Sequence, residues 1–106
     1  MRHILYDMFL AVLLTMPNLC EAEWVTTTVT AYSPQECDSA YTASGTMPRD
    51  GVVACNWLPF GSRVQIDGTW YTVEDRGGMD GIDIFMDSHQ DAIDFGTRTE
   101  SVYIDR

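Results

Sequence analysis

Arg63-Val-Gln-Ile-Asp-Gly-Thr-Trp-Tyr-Thr-Val-Glu74 decides the fold class. Two runs rich in β-branched and aromatic residues, 63–66 and 69–74, flank Asp67-Gly68. An Asp-Gly pair between two such runs is the strongest short signal for a hairpin, because both turn positions need positive φ. The same signature of short runs separated by turn residues recurs on either side. Toward the C-terminus, Gly77-Gly78 and Gly81 punctuate a loop, and 82–86 reads as a strand. Alternation puts Ile82, Ile84 and Met86 on one side of it, and Asp83, Phe85 and Asp87 on the other. Residues 88–95 suit a short helix with Ser88 as N-cap and Gly96 as its stop. A last strand is expected at 99–104. Toward the N-terminus, Leu58-Pro-Phe-Gly61 is a turn, 51–55 a short apolar strand, 33–47 a long Ser/Thr/Gly/Pro-rich loop, and 24–32 a strand. Six short strands and one short helix predict a compact, mainly β barrel rather than a layered α/β fold.

The chain has 106 residues, which is one domain at most. It carries 16 acidic and 6 basic side chains, a formal charge of −10, and every basic residue is arginine. Such a surface repels phosphate backbones and anionic lipid, so nucleic acid is not an expected partner. An uncharged polymer such as a polysaccharide is easier to accommodate. The first 22 residues differ from the rest. Arg2 and His3 precede the apolar stretch 8–16, Pro17 and Asn18 break it, and Cys20-Glu-Ala22 offers a cleavage point. This is the layout of a secretory signal peptide, and it is too short for a confident membrane span. A lipid anchor through Cys20 and an N-terminal buried helix are the alternatives. Export is the favoured reading, with 1–22 as signal peptide, 23–106 as the domain, no membrane contact after cleavage, and a secreted, periplasmic or cell-wall location.

Two cysteines remain after such a cleavage, Cys37 and Cys55. In an exported chain an even pair suggests a disulfide. Two buried thiols or a metal pair are the alternatives. No C-x-x-C spacing or nearby histidine supports zinc, and no metal or other cofactor is expected. His89 reads as a solitary surface residue.

The acidic run 73–87, V-E-D-R-G-G-M-D-G-I-D-I-F-M-D, is the chemistry-bearing stretch. Asp75 ends one strand, and Asp83 and Asp87 share a face of the next. Carboxylates gathered in partly apolar surroundings push at least one pKa upward, which keeps an acid protonated so that it can protonate a glycosidic oxygen. The plainer reading is that aspartates cap turns and helices. Asp67 belongs to the hairpin turn, and Asp80, Asp91, Asp94 and Asp105 read as solvated or capping. The spacing after Asp75 fails the EF-hand calcium pattern.

Several segments together resemble a known family. They are Val29-Thr-Ala-Tyr32, Thr42-Ala-Ser-Gly-Thr46, Pro48-Arg-Asp-Gly-Val-Val-Ala54, Pro59-Phe-Gly-Ser-Arg-Val64, Glu74-Asp-Arg-Gly-Gly78, Ile82-Asp-Ile-Phe-Met-Asp87 and Ala92-Ile-Asp-Phe-Gly96. Their order is similar to that of the 3D domain, named for three aspartates and found in lytic transglycosylase A and stationary-phase-survival proteins. The resemblance spans residues 25–104. It implies a double-psi β-barrel that cleaves peptidoglycan glycan strands between N-acetylmuramic acid and N-acetylglucosamine without water; no cofactor is expected, and the chain is expected to act as a monomer. It implies Asp83 as acid/base with Asp75 supporting it, and Asp87, Thr42, Tyr32 and Asn56 lining the cleft. A non-catalytic glycan-binding or structural cell-envelope barrel is the alternative. The chain departs from the pattern at Asn56, where relatives often carry aspartate, at the short Met79-Asp-Gly81 loop, and at Arg76, where threonine is common.

Overall fold

A computed structural model describes residues 22–37 and 39–106. The expected signal peptide, apart from Ala22, lies outside the described residues, as does Cys20. The expected small β-barrel with one short helix is what the chain forms. Six strands, β1 (Ala22–Tyr32), β2 (Val52–Cys55), β3 (Arg63–Ile66), β4 (Thr69–Asp75), β5 (Ile82–Phe85) and β6 (Arg98–Asp105), close in the order β1-β5-β2-β4-β3-β6. One helix, α1 (His89–Phe95), and a 3-10 turn (Pro34–Glu36) complete it.

Local chemistry accounts for the elements. Asp67 and Gly68 have φ of 51° and 82°, so both turn positions are left-handed, as a two-residue hairpin joining β3 to β4 requires. The Ser88 hydroxyl accepts from the Asp91 N–H at 3.2 Å and starts α1, and Gly96 ends it.

The barrel interior is filled from every strand. Val29, Val53, Cys55, Val64, Ile66, Val73, Ile82, Ile84, Val102 and Ile104 form one cluster with Leu58. β2 is buried on both faces, and so reads as an unbroken apolar run. Val53 and Cys55 point into the barrel, while Val52 and Ala54 join Tyr32 and Phe85 in a smaller cluster on its outer side, against which Cys37 packs. This arrangement corrects the expected Cys37–Cys55 disulfide. Cys55 is a buried free thiol, and Cys37 sits on the opposite side of β2. Adjacent strand residues point to opposite faces, so a strand lies between the two sulfurs. Burial pushes the Cys55 thiol up, against smaller opposing pulls from the Trp57 and Leu58 backbone and from the Arg76 charge.

Two parallel pairs, β1 with β5 and β2 with β4, flank the antiparallel pair β2–β5. The β1–β2 connection therefore has to cross β5. It runs over the outer face as far as β4, where the Ser44 N–H donates to the Glu74 carbonyl at 3.1 Å. Arg49 clamps the Glu74 carboxylate with two hydrogen bonds, at 2.8 and 2.5 Å, and Thr46 adds a third at 2.6 Å. Arg49 and Thr46 hold the Glu74 carboxyl below its usual range, although burial opposes them. This clamp fixes the wall of a cleft.

Candidate functional site

One register line across four strands builds the site. Thr30 on β1 is level with Asp83 on β5, Asp83 with Ala54 on β2, and Ala54 with Asp75 on β4. Two strand spacings separate the aspartates, about 10 Å at the backbone. Ala54 between them is small enough to leave a floor rather than a ridge. The result is an open cleft of about 370 Å³, bordered by Tyr32, Glu36, Tyr41, Ala43, Arg76 and Gly77 as well as the two aspartates.

The two carboxylates have different surroundings. Asp83 is half-buried and accepts one hydrogen bond, from the Thr30 hydroxyl at 2.9 Å. Burial raises its pKa above the ordinary carboxylate range, and the charges of Glu36 and Asp75 add to this; the Thr30 bond opposes it. Asp75 accepts three: the Tyr32 hydroxyl at 3.0 Å, the Ala43 N–H at 2.8 Å and the Arg76 N–H at 2.9 Å. One carboxyl is thus surrounded by donors and the other is set to keep its proton, the arrangement that lets two acids play two roles. The Tyr32 phenol is pushed far above its ordinary range, first by burial and then by Asp75, so it remains a neutral donor.

Asp83, Asp75 and Tyr32 are therefore brought together. Asp87 is not. It has the parity of Asp83, but lies past the end of β5 and four residues on, roughly 13 Å along the chain. It lines two neighbouring depressions instead, one with Asp50, Asp91 and Arg98, the other with Pro34, Ala40 and Pro48. Thr42 is only 4% exposed and faces its own loop, where its hydroxyl sits 2.7 Å from that of Thr46 and accepts from the Thr46 N–H at 3.1 Å. It holds the cleft wall without lining the cleft. Asn56 is exposed and also stands behind the wall. It accepts from the Gly77 N–H at 2.8 Å and donates to the Met79 carbonyl at 3.1 Å. An aspartate there could supply the acceptor but not the donor, so asparagine matches the short 77–81 loop.

Three contributors were missed by the sequence reading. Thr30 shares the face of Tyr32 by simple alternation, and that parity was available. Arg76 donates to the Cys55 and Leu58 carbonyls at 2.7 and 2.9 Å, with its guanidinium 3.8 Å over the Phe60 ring. It ties the end of β4 to the β2–β3 connection. Glu36 reaches the cleft from the 3-10 turn, its carboxylate held below its usual range by the Ser33 N–H and hydroxyl. His89, expected to stand alone, lies 2.8 Å from the buried Ser33 hydroxyl and 3.4 Å from Glu36, and so joins α1 to that turn. Among the described residues no three His, Cys, Asp or Glu side chains gather as a metal site. The chain matches no family model and no curated protein.

Proposed function

We propose that the chain is an exported peptidoglycan lytic transglycosylase whose acid/base is Asp83. The observation that carries this reading is the unequal pair in one cleft: Asp83 with a raised pKa and one hydrogen bond, Asp75 with three donors around it. The ordered resemblance to the 3D domain supplies the substrate class. The Asp83 O–H gives its proton to the oxygen linking N-acetylmuramic acid to N-acetylglucosamine, and the bond from that oxygen to the anomeric carbon breaks. The resulting carboxylate takes the proton of the muramoyl hydroxyl as that hydroxyl closes onto the anomeric carbon. Acid is regenerated, an anhydro ring forms, and no water is consumed. Asp75, held by Tyr32 and two backbone N–H groups, is the fixed negative charge that faces the developing positive charge on the sugar.

Digestion of purified sacculi followed by mass spectrometry tests this. Anhydro-muropeptides are the expected products. Reducing-end sugars would mean hydrolysis, and binding with no release would leave the cleft a glycan-binding barrel. A smaller effect is expected at Tyr32. Tyr32→Phe keeps the ring against Phe85, at 5.4 Å edge-to-face, and removes only the hydroxyl donor to Asp75. The net value of one such bond is about 1–2 kcal/mol, so initial release should slow about five- to thirtyfold with an unchanged circular dichroism spectrum. An unchanged rate would remove the Tyr32 hydroxyl from the chemistry.

A further inference from the structure

A second set of side chains stands outside the cleft. Trp24 on β1 is level with Tyr103 on β6, Tyr103 with Gln65 on β3, and Gln65 with Trp70 on β4. Alternation turns this whole line outward, because Val102 and Ile104 beside Tyr103, and Val64 and Ile66 beside Gln65, point into the barrel. Trp24 is 64% exposed and Trp70 37%. The rings touch edge to face: Trp24 and Tyr103 at 5.2 Å, Trp70 and Tyr103 at 6.1 Å, with the Arg63 guanidinium 4.9 Å over Trp70. Single exposed aromatics need no explanation, but a contiguous row with polar groups set into it marks a binding surface.

We propose that this row is a second glycan-binding site, which takes an extended, uncharged, N-acetylated sugar chain. Three features select that occupant. Rings fix one another by edge-to-face packing, so little side-chain freedom is left to lose when a ligand stacks on them. Their spacing is comparable to the length of one pyranose, whose C–H face stacks on an aromatic ring while its hydroxyl and acetamido groups meet the Gln65 amide and Arg63. The four positions of the row carry no acid, whereas the chain as a whole carries −10, which repels phosphate polymers and anionic lipid alike. The choice of an N-acetylated glycan rests on the proposed function. Trp24 lies six residues before Thr30 on β1, roughly 20 Å away, so a ligand on the row does not fill the cleft. A polymer bound at the row would present its next segments to the cleft at raised effective concentration.

The probe is a hexamer of β-1,4-linked N-acetylglucosamine, titrated into the full chain. In the wild type it should shield Trp24 and Trp70 from acrylamide quenching, a readout that does not depend on any variant folding. Trp24→Ala and Trp70→Ala should each weaken binding about tenfold, and Trp24→Phe should retain most of it. Absence of shielding, or unchanged affinity in both alanine variants, overturns the proposal. So does shielding by zwitterionic vesicles in place of the hexamer, or a concentration-dependent dimer that Trp24→Ala abolishes. If the hexamer binds through the row while sacculi yield no anhydro-products, the row stands and the cleavage reading fails alone.

Discussion

Asp83→Asn should release anhydro-muropeptides from purified sacculi some 10²- to 10⁴-fold more slowly than the wild-type chain, the range expected when a positioned general acid is removed. The substitution keeps size and polarity, and the Thr30 hydroxyl can still donate to the asparagine oxygen. What disappears is the transferable proton. The wild-type pH profile should carry the same signature. Burial raises the Asp83 pKa, so the protonated acid persists above the ordinary carboxylate range, and release should fall as pH rises through the shifted value. Stability separates loss of chemistry from loss of fold. A raised folded-state pKa means that the folded chain holds this proton more tightly than the unfolded chain. The Asp83 contribution to stability is therefore fully present below the unfolded pKa and is lost as pH rises through the folded one. Asparagine carries no such penalty, so at neutral pH Asp83→Asn should melt no lower than the wild type. A variant that melts at or above the wild type and releases nothing identifies Asp83 as the acid; one with wild-type release ends that assignment.

The features legible in the sequence are those that short-range chemistry determines. The Asp67-Gly68 turn, the Ser88 cap and the alternation of Ile82 and Ile84 against Asp83 and Phe85 each depend on residues a few positions apart, and each is found in the structure. Strand partners are another matter. The pairing of β1 with β5 joins residues more than fifty positions apart, as in Thr30 and Asp83, and nothing local encodes it. The site exists only through that pairing. Asp75 and Asp83 could be named from the acidic run, but the line through Thr30 and Ala54 that sets their separation could not. Errors followed from the same gap. Cys37 and Cys55 look like partners by count, yet β2 stands between them. Asp87 has the right parity, and the strand ends before it matters. Thr42 and Asn56 fall near the cleft, but their hydrogen bonds go to the loops that wall it.

The other large effect is expected from a residue with no side chain. Gly81→Ala should lower the melting temperature by about 10–20 °C, equivalent to a loss of about 3 kcal/mol at the upper end of overpacking costs. A Cβ on Gly81 would lie 2.3 Å from the Thr28 carbonyl oxygen, with the Thr28 Cβ at 3.3 Å. The obstacle is backbone, so no rotamer change relieves it. Thr28 is also poorly placed to move. It pairs with Thr99 on β6, and one residue later, at Val29, β1 begins its parallel pairing with β5. Shifting β1 would strain both ladders where the strand exchanges one neighbour for the other. Shifting the loop instead would pull on the Gly81 N–H, which donates to the Gly78 carbonyl at 2.8 Å, and on Asp83 two residues on. A displacement of about 1 Å at a reacting group can cost on the order of a hundredfold in rate, so the variant should lose release even at temperatures where it is folded. Thermal melting and sacculus digestion on the same preparation check both halves. An unchanged melting temperature would mean that the 78–81 turn yields freely, and the short loop would then be no constraint on where Asp83 sits.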